Sequence, residues 1–127
     1  GVPTMYALML GLPTIASYDL ASLRLLTNAA AALPLDHLRR VRALWPQARF
    51  YSMYGQTECK RISYLPPEEL DRRPDSVGRG MPNQELWLVD DAGRPLPPGN
   101  VGELVISGPH VMLGYWRKPE ETARKVS

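Results

Sequence analysis

Tyr54-Gly55-Gln56-Thr57-Glu58 brings an aromatic ring, a glycine, a hydroxyl and a carboxylate together at the end of an apolar, strand-like run over 48–54. The glycine lets backbone N–H groups approach a ligand closely, because no Cβ stands in the way. Thr57 offers a hydroxyl, and Glu58 a hard oxygen donor of the kind Mg²⁺ prefers. Such a set suits a nucleotide–metal complex. The same pentad also reads as a strand running into a turn, with Thr57 capping a short helix and Glu58 near the positive end of its dipole.

The elements around the pentad must bring these groups to one place. An apolar helix is expected over 6–12, stopped at Gly11-Leu12-Pro13, then a strand over 23–27 and a run of small residues, Asn28-Ala29-Ala30-Ala31-Ala32. Leu35, Leu38, Val41 and Leu44 have helical spacing, with basic groups on the other faces, and a second strand follows over 50–54. Strand, helix, strand at this spacing implies a right-handed parallel βαβ unit, whose ligands collect at the carboxyl ends of the strands. The alanine run and the pentad both fall at those ends. Near Pro66-Pro67 the character changes. A strand over 85–90, a turn at Asp91-Ala92-Gly93 and a return strand over 101–107 predict antiparallel structure, with Pro95, Pro97, Pro98 and Gly99 in the connection. A last helix begins at Pro119, which suits a first turn, and Glu120-Glu121 match its dipole.

Composition narrows the function classes. A chain of 127 residues can bury a core. Its net charge of +2 gives no basis for binding nucleic acid or an acidic membrane surface. The single cysteine, Cys59, excludes an intrachain disulfide framework and reads as a small buried thiol, with no base near it in sequence. His37 and His110 are not paired into a metal site. Lys60-Arg61, Arg72-Arg73 and Arg117-Lys118 read first as solvated surface, though they could meet the phosphates of a coenzyme. No run approaches the ~18 apolar residues that span a bilayer, so no membrane span is expected and the cytoplasm is the default compartment.

The pentad has company. Gly1-Val2-Pro3-Thr4 and Leu25-Leu26-Thr27-Asn28-Ala29-Ala30-Ala31-Ala32 precede it. Ser76-Val77-Gly78-Arg79-Gly80-Met81-Pro82, Gly102-Glu103-Leu104-Val105-Ile106-Ser107-Gly108-Pro109 and Gly114-Tyr115-Trp116 follow. In this order and spacing, over nearly the whole chain, the sequence resembles the adenylate-forming ligases: acyl- and aryl-CoA synthetases, peptide-synthetase adenylation domains and luciferases. The resemblance implies an α/β fold with an appended antiparallel β portion, a partial βαβ sheet leading into a distorted β-barrel. On that basis 1–75 is expected to be part of the α/β subdomain and 76–127 the start of the barrel, both ends being truncated.

The resemblance also implies a reaction. A small carboxylic acid is activated with ATP to an acyl-adenylate, and the acyl group passes to the thiol of CoA or of a carrier-protein phosphopantetheine arm. Carried over by position, Tyr54 would stack on adenine, Thr57 would bond the α-phosphate, and Glu58 would hold Mg²⁺. Gly55 and Gln56 would border the reacting carboxylate, and Ala30 and Ala31 would keep the adenine edge open. The family often has glycine where this chain has Met53, and commonly a glycine pair at Ala29-Ala30. The stretch from Gly102 to Trp116 supports recognition and is expected to carry little chemistry. The phosphate loop, ribose-binding aspartate and mobile C-terminal domain are expected in the rest of a parent chain, so the fragment alone should be inactive and should self-associate through apolar faces. The alternatives are a non-catalytic binding or assembly module that keeps the fold, and a luciferase-like oxidative use of the adenylate.

Overall fold

The computed structural model describes residues 1–126; Ser127, the last residue of the expected barrel portion, lies outside the described residues. The chain divides into two compact units, Gly1–Gly55 with Ser63–Arg79, and Gln56–Ile62 with the residues from Gly80 onward.

In the first unit, α1 spans Pro3–Leu10, so the expected helix starts and ends earlier than 6–12. Pro3 sets a helical φ at the first turn, and the N–H groups of Met5 and Tyr6 donate back to the Val2 carbonyl. Tyr6 and Leu10, one turn apart, are its buried residues. Strand β1 is Leu25–Asn28 rather than 23–27. Leu23 instead closes a turn, its N–H donating to the Leu20 carbonyl at 2.9 Å. Helix α2 covers Leu35–Leu44, as its apolar spacing requires, burying Leu38 and Val41. Strand β2, Arg49–Tyr54, runs parallel to β1, with Leu25 opposite Arg49 and Asn28 opposite Ser52. Strand β3, Ser63–Leu65, pairs antiparallel with β2. Three residues gave it too little sequence for any periodicity to mark it. A 3₁₀ turn at Pro67–Glu69 leads toward β4, Arg79–Gly80, and the sheet order is β1-β2-β3-β4.

The core of this unit packs α1 and α2 on the sheet through Tyr6, Leu38, Val41, Trp45, Phe50 and Leu65. The Tyr6 and Phe50 rings lie 5.7 Å apart, tilted by 49°. Burying a side chain such as Phe50 contributes about 1.5–3 kcal/mol. The Tyr6 hydroxyl, pushed above its ordinary pKa mainly by burial, donates to the Thr27 carbonyl at 2.7 Å and ties α1 to β1.

In the second unit, β5 (Glu85–Val89), β6 (Pro95–Leu96) and β7 (Glu103–Ser107) form an antiparallel sheet in the order β6-β5-β7. Pro95, expected in the connection, sits opposite Val89 on an edge strand, where its missing N–H costs no ladder bond. Asp90 shapes the turn: its Oδ1 accepts from the N–H groups of Ala92 and Arg94 at 3.0 and 2.9 Å. Three strands make an open sheet, and no closed barrel is present among the described residues. Helix α3 spans Pro119–Ala123, beginning at Pro119 as expected, with Lys118 at its N-cap position. No helix among the described residues is long and apolar enough to cross a membrane.

Candidate nucleotide site

Parallel pairing puts the carboxyl ends of β1 and β2 on the same edge of the sheet, so the chain leaving Asn28 and the chain leaving Tyr54 meet there. Asn28 is 1% exposed, and its Nδ2 donates to the Ala31 carbonyl at 2.8 Å, folding the alanine run back on itself. Its Oδ1 has no hydrogen-bond partner among the described residues. Ala30 adopts φ 73°, in the left-handed region that favours glycine. A glycine would hold this conformation without the strain that the alanine Cβ brings.

Ala30, Ala31, Met53, Tyr54, Gly55 and Asp75 line one cavity of about 350 Å³. A volume of this order is that of a small-molecule site. Met53 stands on its wall, so a thioether fills space that glycine would leave free. Ser76 and Val77 close another side. They are brought there by Gly78, whose φ of 76° and close approach to the Tyr64 carbonyl admit no side chain. The buried Ser63 hydroxyl, donating to the Val77 carbonyl at 2.7 Å, holds that segment against β3. Asp75, Ser76 and Val77 were not legible as site residues. Only the stretch around Gly78 carried a signal, and it was one of resemblance.

Gln56, Thr57 and Glu58 belong to the second unit. They form a bend rather than a helix, so Thr57 caps nothing. The Gln56 N–H donates to the Cys59 carbonyl at 3.0 Å, and Cys59 forms an isolated bridge with Val111. Gln56 and Glu58 line a cavity of about 250 Å³ together with Cys59, Glu103 and Lys125, while Thr57 is exposed and lines neither cavity. Oε1 of Glu58 accepts a hydrogen bond from the Tyr115 hydroxyl. This bond, with the Glu58 backbone N–H and the nearby Lys125 ammonium, holds the carboxyl below its ordinary range. The same contact raises Tyr115. Glu58 is therefore anionic at neutral pH, as a hard cation requires. No cluster of three metal-ligating side chains exists among the described residues. Mg²⁺ fits such a site because it is typically held by one or two carboxylates plus substrate phosphates.

Tyr115 is the residue that sequence reasoning passed over. It lies in Gly114-Tyr115-Trp116, read as carrying little chemistry, yet it meets Glu58 across 57 positions. Cys59 is buried, 2% exposed, as expected, with Gln84 Nε2 at 3.4 Å from its sulfur.

A family model described as "AMP-binding enzyme" matches residues 1–116. The chain belongs to that family. It is 34% identical over 125 residues to the acyl-CoA ligase sidI of Aspergillus fumigatus, covering 97% of this chain and 21% of that protein. It is 39% identical over 124 residues to a feruloyl-CoA synthase of Amycolatopsis sp, covering 97% and 25%. Among solved structures, VinN superposes with a TM-score of 0.87 at 46% identity, over 98% of this chain and 32% of VinN. The anthranilate CoA ligase AuaEII in complex with anthranoyl-AMP gives 0.83 at 30% identity, over 98% and 24%. The chain thus spans only a fifth to a quarter of the length of these curated relatives. Its α/β unit with an appended antiparallel portion is the corresponding part of the adenylate-forming fold.

Proposed function

We propose that the chain forms one wall of the active site of an AMP-forming carboxylate–thiol ligase. The observation that carries this reading is the cavity at the carboxyl ends of β1 and β2, lined by Ala30, Ala31, Tyr54 and Gly55. The Tyr54 ring offers an adenine a stacking face, while the two alanines leave the base room. Thr57 offers its hydroxyl to the α-phosphate. Gly55 and Gln56 border the acid, whose carboxylate oxygen attacks the α-phosphorus of ATP. The bond to the bridging oxygen breaks, and pyrophosphate leaves with the electron pair. When bound, Mg²⁺ neutralises the charge that develops on the phosphates. Glu58 would be its protein ligand, in keeping with its anionic carboxylate. The acyl-adenylate is then captured by the thiol of CoA or of a carrier-protein arm, releasing AMP.

VinN has been solved with L-aspartate and with 3-methylaspartate, so amino acids bearing a second carboxylate head the panel of acids to try. The test is acid-dependent exchange of labelled pyrophosphate into ATP by the full-length protein. Glu58→Gln keeps the size of the side chain and loses the charge. It is expected to slow exchange about 100-fold, or ~3 kcal/mol, the usual effect of deleting one charge-stabilising group. Capture of a pre-made acyl-adenylate should suffer less, since pyrophosphate has already left. Normal exchange in Glu58→Gln would remove Glu58 from the site. No exchange with any acid would favour a module that has kept the fold without the chemistry.

A further inference from the structure

A carboxylate that must meet a cation needs its direction fixed, and Glu58 projects from a bend that neither helix nor ladder steadies. Its surroundings supply the missing constraint. The Glu58 carbonyl accepts from the Met112 N–H at 2.7 Å, next to the Cys59–Val111 bridge, which registers the bend against the segment that leads to Tyr115. The Tyr115 backbone is itself pinned. Its N–H donates to Thr122 Oγ1 at 2.9 Å, and the Thr122 hydroxyl donates in turn to the Lys118 carbonyl at 2.8 Å. Gly114 makes this close packing possible: at φ 148°, an added Cβ would stand 2.7 Å from Thr122 Cγ2 and 3.0 Å from its Oγ1.

We propose that Tyr115 is a positioning residue for Glu58, its hydroxyl occupying Oε1 so that Oε2 is the oxygen presented to the divalent cation. The inference rests on the reading of Glu58 as the Mg²⁺ ligand. An ionised carboxylate only accepts hydrogen bonds and a phenol hydroxyl can donate one, so the pair fixes which oxygen is taken. Carboxylates that bind metals are themselves commonly hydrogen-bonded, and losing such an outer partner typically lowers metal affinity or activity 10–100-fold. The chain Lys118–Thr122–Tyr115–Glu58 then links the N-terminal cap of α3 to the carboxylate. Glu103 and Lys125 line the same cavity, and Glu121 is the other charged group acting on Tyr115. None of the three occupies Oε1.

The test measures ATP binding to the full-length protein by calorimetry over a series of Mg²⁺ concentrations, without acid so that no turnover occurs. Tyr115→Phe should raise the Mg²⁺ concentration that gives half of the full gain in ATP affinity by 10–100-fold, with ATP binding in the absence of Mg²⁺ and the melting temperature unchanged. Glu58→Gln should remove the gain altogether, and the double variant should lose no more than Glu58→Gln alone. Thr122→Val keeps both the ring and its hydroxyl but frees the Tyr115 backbone. It should shift the Mg²⁺ dependence the same way by less, and it serves if Tyr115→Phe does not fold. A wild-type Mg²⁺ dependence in Tyr115→Phe, or in Thr122→Val where Tyr115→Phe is lost, beside a clear loss in Glu58→Gln, overturns the positioning role and leaves the ligand reading intact. A wild-type dependence in Glu58→Gln overturns both.

Discussion

Gly78→Ala should be among the most damaging single-methyl additions in the first unit. The residue sits at φ 76°, where any L side chain carries strain of roughly 1–2 kcal/mol. Its surroundings add to that. A Cβ there would lie 1.9 Å from the Tyr64 carbonyl oxygen and 2.5 Å from the Leu65 Cα, both backbone atoms of β3 that cannot rotate away. Relief requires the 76–78 segment to lift, which breaks the 2.7 Å bond from the buried Ser63 hydroxyl to the Val77 carbonyl. An unsatisfied buried polar group costs about 1–3 kcal/mol. Together these give a loss of roughly 2–5 kcal/mol, a large part of the stability of an ordinary domain. Gly93 is the matched control, with φ 75° and nothing within 4 Å of its added Cβ. Gly93→Ala should cost only the conformational term, about 1–2 kcal/mol. Guanidinium unfolding midpoints of the two variants, made in the full-length protein, provide the measurement. Equal destabilisation by the two would refute the argument from contact, and a fully stable Gly78→Ala would refute the placement of this segment.

Ala30→Gly should be neutral or stabilising by up to about 1 kcal/mol, relief of the left-handed φ outweighing the added freedom of the unfolded chain. Ala30→Val should destabilise by roughly 1–3 kcal/mol, and the opposite order of denaturant midpoints would count against it. Asp90 is held below its ordinary value first by the Arg94 backbone N–H and then by the Arg94 guanidinium. A lowered carboxyl contributes stability above its unfolded-state value, and loses it as pH falls through the folded one. Asp90→Asn should therefore flatten the stability–pH curve below the ordinary value of 3.8 while leaving its slope near neutrality alone. An unchanged acid limb would show that the turn does not depend on the charge.

Local signals in the sequence carried the long elements and failed where structure depends on distant partners. Helix α2 matched its expected bounds because four apolar positions recur at helical spacing over ten residues. Strand β1 began two residues late because Leu23, apolar and next to the strand, is used to close a turn on Leu20. Pro95 read as loop, since nothing local distinguishes an edge strand from a connection. The cavity wall from Ala30 to Gly55 was legible because parallel strands bring their carboxyl ends together by topology alone. The Glu58–Tyr115 bond and the approach of Gly78 to Tyr64 join positions far apart in the chain, and no window of sequence contains them.

Leu38, Phe50 and Leu70 belong both to the buried core and to the lining of the cavity. The cavity floor is thus the packed interior itself, while Ala31, Ala32 and Asp75 form an exposed margin. Any enlargement from below removes side chains that hold the unit together, at about 2–5 kcal/mol for a change such as Leu38→Ala. Changes at the margin carry no such penalty. Selection for a new ligand, in nature or in the laboratory, can therefore act freely only at the rim, and the depth of this site should be its slowest-evolving dimension.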